Sequence, residues 1–238
     1  MTPRLELINA GRVHGEGHTA VAALDGVTMQ VDPGEMVAVM GPSGSGKSTL
    51  LSMAGGLDHP TTGEVRVEGV DLSGLGAVGL AEMRRRRIGY VFQQYNLVDG
   101  LTAAENIALP LELDGGHRKE VRAAVGRALD TVGLTELADR FPEDLSGGEQ
   151  QRVAIARAMV GERSLLLADE PTGALDSVTG ESVLATLRQR CDDGGSVVLV
   201  THDARFAAWA DRIVFLRDGR LVDESAPSHL ESLLGGTR

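Results

Sequence analysis

A chain of 238 residues, 42% apolar and 24% charged, has the composition of a soluble globular protein and enough material for one large or two small cores; a disordered or fibrous chain is excluded. No apolar run approaches the roughly 18–20 residues that cross a bilayer, and no charged-then-apolar leader opens the chain, which argues against a membrane span and a signal peptide. The single cysteine, Cys191, rules out an internal disulfide and a cysteine-based zinc site, and a net charge of −11 argues against nonspecific nucleic-acid binding.

In chain order, residues 1–35 and 61–72 read as short strands separated by Gly, Pro and Asp, an antiparallel layer. Met36–Met40 is an apolar run without polar alternation, followed by a glycine-rich turn and a helical stretch at Thr49–Ala54. Arg84–Arg87 reads as a solvated helix end, and Ile88–Phe92 is a second apolar run. Residues 100–160 read as mainly helical, with capping-box spacing at Thr102 and Glu105 and a further helix over Arg118–Val132. Leu165–Ala168 is a third apolar run, residues 177–191 a helix with Cys191 near its end, and Val197–Val200 a fourth run. Trp209 is expected to pack in a short helix, and strands at Ile213–Leu216 and Arg220–Val222 precede a terminal helix. No repeat, low-complexity stretch or long linker interrupts the chain, so residues 1–238 form one domain in this reading.

Apolar runs without alternation suit strands buried on both faces of a parallel sheet. Each of the four leads directly into polar residues: Gly41–Thr49, Gln93–Gln94, Asp169–Glu170 and Thr201–Asp203. Ligands of open α/β sheets bind beyond the carboxyl ends of the strands, so the four tips predict one site.

The first tip, Gly41-Pro42-Ser43-Gly44-Ser45-Gly46-Lys47-Ser48-Thr49, fits the phosphate-binding pattern G-x-x-x-x-G-K-[ST]. Its glycines let consecutive backbone N–H groups converge on phosphate oxygens, and the helix that follows aims its positive dipole end at them. Lys47 reaches the β- and γ-phosphates and Ser48 offers a hydroxyl to Mg²⁺; the chain has 21 arginines and only two lysines, Lys47 and Lys119. At the end of the third run, Asp169 suits the Mg²⁺ shell and Glu170 can polarise an attacking water.

The stretch Leu145-Ser146-Gly147-Gly148-Glu149-Gln150-Gln151-Arg152 opens a helix with capping-box spacing between Ser146 and Glu149, yet it places two glycines in the first turn, where each costs roughly 1 kcal/mol relative to Ala. Bare glycines at a helix start leave N–H groups open to an anion. This stretch resembles the signature motif of the ATP-binding cassette (ABC) ATPases. Gln93 resembles that family's Q-loop glutamine, Ala174-Leu175-Asp176 its D-loop and His202 its switch histidine, so the likeness covers essentially the whole chain. Met40–Leu51, Ile88–Leu97, Leu101–Leu111 and Leu166–Asp176 are similar to the bacterial subfamily of lipoprotein-releasing, macrolide-export and cell-division-type ATPases. That family stacks adenine on an aromatic residue in the first β layer; here no aromatic precedes Tyr90, and His14 stands at that place.

The resemblance implies an α/β P-loop NTPase of the ABC-ATPase fold: a mostly parallel core sheet with an antiparallel β layer over residues 1–93 and 161–238, and a helical subdomain carrying the signature over residues 94–160. It implies ATP and Mg²⁺ as cofactors, with Ser48, Gln93 and Asp169 around the metal. Nucleotide contacts come from Gly41–Thr49, His14, Gln93, Ser146, Gly147, Gly148, Gln150 and Asp176, and catalysis rests on Glu170, His202 and Lys47. Two chains are expected to pack head to tail, each ATP lying between Gly41–Thr49 of one and Ser146–Gly148 of the other. The implied partner is a separate integral-membrane permease that holds the protein on the inner face of the cell membrane and serves export or mechanotransmission, a regulatory cell-division role being the alternative. A DNA-associated ABC ATPase would need a coiled-coil insertion between Lys47 and Ser146, which is too short for one, and a translation-associated one would carry two cassettes.

Overall fold

The computed structural model describes residues 2–225. The chain begins with β1 (Leu5–His14), β2 (Val21–Val31), β3 (Met36–Met40), α1 (Lys47–Ala54), β4 (Thr62–Val67), β5 (Val70–Asp71), α2 (Ala77–Arg86) and β6 (Ile88–Val91). Three helices follow, α3 (Ala103–Leu113), α4 (Arg118–Thr131) and α5 (Gly147–Met159). It returns to alternation with β7 (Leu165–Asp169), α6 (Ser177–Asp192), β8 (Ser196–Val200), α7 (Ala204–Ala207), β9 (Arg212–Arg217) and β10 (Arg220–Ser225). The terminal helix expected from the sequence lies outside the described residues.

The strands form two sheets. Antiparallel β2-β1-β4-β5 is the layer expected from the Gly- and Pro-punctuated segments, and β10-β9-β3-β8-β7-β6 is parallel except for the edge pair β10–β9. Every residue of β3, β7 and β8 is buried, which is why these strands read as continuous apolar runs. The pleat still divides them: Val37, Val39, Leu165, Leu167, Val198 and Val200 pack toward α1 and the antiparallel layer, while Met36, Ala38, Leu166, Ala168, Val197 and Leu199 pack toward α6 and the end of α5. Cys191, in the last turn of α6, belongs to this second core, where burial pushes its thiol up to about 12. Trp209 follows α7 in a turn, half-buried against the same core.

Helices α3, α4 and α5 close a third core of their own, built from Ile107, Val121, Val125, Leu129, Val153 and Ala156. Thr102 and Glu105 form the expected capping box at the start of α3. The four arginines at the end of α2 are more engaged than a solvated helix end requires. Arg84 donates to the Gly56 carbonyl, Arg85 and Arg86 pair with Asp114, and Arg87 pairs with Glu68. They tie α2 to its surroundings.

Candidate functional site

The turn between β3 and α1 is shaped by close approach. A β-carbon on Gly41 would sit 2.0 Å from the Leu216 carbonyl oxygen, and one on Gly46, whose φ is +103°, would sit 2.3 Å from that of Ala23. Only glycine lets the loop tuck between β2 and β9. Gly46 is the N-cap of α1 and supplies no side-chain cap, so the first-turn amides of the helix remain open to an anion. Lys47 Nζ folds over this turn and donates to the carbonyls of Gly41 (2.9 Å) and Pro42 (2.8 Å). Ser45 is buried, and its amide and carbonyl bond to the Pro42 carbonyl and the Gly219 amide.

Asp169, 7% exposed, ends β7. Burial raises its carboxyl above the usual range, helped by the neighbouring Glu170 charge and opposed by the Ser48 hydroxyl and Lys47. Glu170 holds a left-handed backbone conformation, φ +49°, unusual for a residue with a β-carbon; its amide donates to the Val200 carbonyl at 3.0 Å. Its carboxylate meets His202 Nδ1 at 2.9 and 3.0 Å, through both oxygens. Together Gly41, Ser43, Gly44, Gly46, Lys47, Ser48, Thr49, Gln93, Asp169, Glu170 and His202 line one open cleft of about 440 Å³, with Ala23 and Val200 completing the wall. This is the convergence of four strand tips that the sequence predicts.

The segment from Gln93 to α3 is held by two side chains that motif reading overlooks. Arg157 donates to the carbonyls of Tyr95 and Asn96, and fully buried Asn106 accepts from the Val98 amide and donates to the carbonyls of Val98, Leu101 and Thr102. Nothing in the local sequence announces Asn106 except its polarity on an otherwise apolar helix face. Buried Arg163 braces the end of α5 by donating to the carbonyls of Arg85, Arg157 and Ala158; desolvation, with Arg157 nearby, depresses it to about 10.

Other expected residues lie apart from this cleft. Ser146 caps α5, accepting from the Glu149 amide at 3.4 Å, while its hydroxyl and its backbone amide, each at 2.7 Å, donate to the Glu149 carboxylate and hold that carboxyl below its usual range. Gly147 and Gly148 have a packing reason beyond their open amides: β-carbons there would lie 2.9 Å from Tyr95 Oη and 3.3 Å from Leu175 Cδ2. Gln150 turns its amide back onto the carbonyls of Pro142 and Leu145. Asp176 caps α6 through the amides of Val178 and Thr179. His14 is exposed at the end of β1 and does not line the cleft.

A model of the ABC transporter family matches residues 24–173. The chain belongs to that family. It is 48% identical over 222 residues to the macrolide export ATP-binding/permease protein MacB of Salmonella typhimurium, covering 93% of this chain and 34% of that one. It is 44% identical over 237 residues to MacB of Escherichia coli K12, covering 100% of this chain and 37% of that one. The chain thus spans about a third of the length of these curated relatives. Among solved structures, the ATP-binding cassette MJ0796 in a dimeric post-hydrolysis state bound to ADP and Pi superposes with TM-score 0.89 at 41% identity, covering 94% of this chain and 98% of that one. A second dimeric structure of MJ0796, described as a bacterial ABC transporter cassette, gives the same TM-score at 42% identity. The chain is an ABC ATPase cassette. Among its described residues no helix is long and apolar enough to cross a membrane.

Proposed function

We propose that this cassette hydrolyses ATP as a head-to-tail pair and drives a permease carried on a separate chain, working in export at the inner face of the cell membrane. The observation that carries the reading is the single cleft in which Lys47, Ser48, Gln93, Asp169, Glu170 and His202 converge. Residues 94–160 act as the helical subdomain, moving with the signature turn, and the segment from Gln93 to Leu101 transmits that motion toward the permease. MacB relatives, named as export proteins, favour export over a cell-division role.

In this mechanism the open amides of α1 and the loop receive the phosphates, and Lys47 exchanges its two carbonyl partners for the β- and γ-oxygens. The Ser48 hydroxyl, the Gln93 amide oxygen and the Asp169 carboxylate are hard oxygen donors of the kind Mg²⁺ takes, and all three residues line the one cleft. These residues would hold Mg²⁺, which would supply neutralisation of the phosphate charge. Glu170 takes the proton of the attacking water, and His202, already against both its oxygens, orients that carboxylate and reaches the γ-phosphate. His14 offers adenine an imidazole face, and Ser146, Gly147 and Gly148 of the second copy close over the γ-phosphate.

Glu170→Gln tests this reading. Hydrolysis is expected to fall by roughly 10²–10⁴-fold while ATP binding survives, since the amide keeps the shape but loses the base. Trapped ATP then holds two chains together, so light scattering during size exclusion should show a dimer with ATP and Mg²⁺ and a monomer with ADP. A variant that binds ATP and stays monomeric at high concentration, permease included, would contradict the shared site; undiminished turnover would remove Glu170 as the base.

A further inference from the structure

One buried polar side chain has no role in the mechanism above. Gln151 is 1% exposed, and neither its amide oxygen nor its amide nitrogen has a hydrogen-bond partner among the described residues. A whole carboxamide left unpaired is rare in a folded protein, because its acceptor oxygen and two N–H donors have all given up water. Its position is specific. Residues 147, 151, 155 and 158 follow one face of α5, and Ile155 and Ala158 on that face pack into the sheet core, whereas Val153 and Ala156 pack into the helical core. At the start of the same face, Gly147 abuts Tyr95 and Gly148 abuts Leu175. Gln151 therefore sits one turn behind the place where α5 is wedged between the segment leaving Gln93 and the segment leading to Asp176.

Unpaired, this amide costs more where it lies than an apolar side chain of similar size would. We propose that Gln151 is a positioning residue whose amide is paired only when the cassette closes on nucleotide, taking backbone partners from the Gln93–Tyr95 and Ala174–Asp176 segments as α5 shifts against the sheet. Both segments are irregular backbone, and both adjoin groups that line or complete the site. The amide thereby links closure at the signature turn to the placement of Gln93 and Asp176. This inference rests on the cassette binding ATP.

The test compares thermal unfolding of the full chain and its Gln151→Met variant, with Gln151→Leu as a second apolar replacement, in three conditions: no nucleotide, ADP with Mg²⁺, and a non-hydrolysable ATP analogue with Mg²⁺. The apolar variants should melt at the same or a higher temperature without nucleotide and keep the ADP-induced rise. The rise induced by the ATP analogue should be cut by half or more, and turnover reduced about tenfold. If the analogue raises the melting temperature of variant and wild type equally and turnover is unchanged, Gln151 is a packing defect and the proposal is overturned. If both apolar variants melt lower without nucleotide, the amide is already satisfied in the open form, which also overturns it. A wild-type chain that fails to respond to the analogue would overturn nucleotide binding itself, a separate failure that shows before any variant is compared.

Discussion

The two glycine-rich turns of this chain are built in opposite ways. The turn before α1 is sunk between β2 and β9, with Gly41 and Gly46 against the carbonyls of Leu216 and Ala23, and it carries its own cation. The turn before α5 stands exposed at Ser146 and Gly147 and is held by a capping box. The first turn has its cleft walls within its own chain; the second is a helix end with open amides and no such wall of its own. A half-site of this second kind has a use only against another molecule, and the dimeric MJ0796 cassettes show that a chain of this fold does pair.

That contrast can be broken most sharply by Lys47→Ala, which removes the only cation the buried turn supplies: turnover should drop by about 10³-fold or more, read in a phosphate-release assay. Ser146→Arg should also lower turnover, by at least about 100-fold, through blocking the helix end that receives the phosphate, yet ATP binding to the single chain should stay within about threefold. Mixing these two inactive variants then sharpens the comparison. A head-to-tail pair of one of each contains one intact site, so activity should return to roughly a quarter of wild type at equal mixing. No recovery in a mixture shown to form mixed dimers would refute a shared site.

A smaller effect is expected from Glu149→Gln. The Glu149 carboxylate holds the Ser146 hydroxyl and places negative charge beside the mouth that is to meet a phosphate. Neutralising it should tighten ATP-driven pairing by about 1 kcal/mol, roughly fivefold in the ATP needed for half-maximal dimerisation. Asp169→Asn should act in opposite directions on two measurements. The folded-state carboxyl is raised, so ionised Asp169 opposes folding at neutral pH and that penalty vanishes as pH falls through its folded value. The variant should therefore melt about 1–3 °C higher at pH 7 without nucleotide, lose that advantage at low pH, and bind ATP less well in Mg²⁺. His14→Tyr is the gentlest: stronger stacking should improve ATP affinity by about 1 kcal/mol, measured against GTP.

The parts of the molecule legible in the sequence are those fixed by neighbours within a few residues. The buried runs of β3, β7 and β8, the capping boxes at Thr102 and Ser146, and the glycine spacing before Lys47 are all local patterns. What could not be read is set by contacts across the chain. Leu216 forms the floor beneath Gly41 from 175 positions away. Asn106 and Arg157 look like ordinary helical residues until the carbonyls they hold are known. The left-handed backbone of Glu170 follows from its amide being drawn to Val200, and no propensity of glutamate would suggest it. Arg84–Arg87 does form a helix end, exposed at Arg86 and Arg87, but its partners Gly56, Glu68 and Asp114 are scattered along the chain and could not be read locally.

The dependence of the phosphate loop on β9 and on the turn after it has a consequence for synthesis. The loop carrying Lys47 emerges early from the ribosome, but Leu216 and Gly219, which back and hold it through Gly41 and Ser45, emerge last among its supports. Because β9 pairs directly with β3, β3 is an open edge of the central sheet until then. A polypeptide broken off before residue 216 lacks both of these supports for the loop.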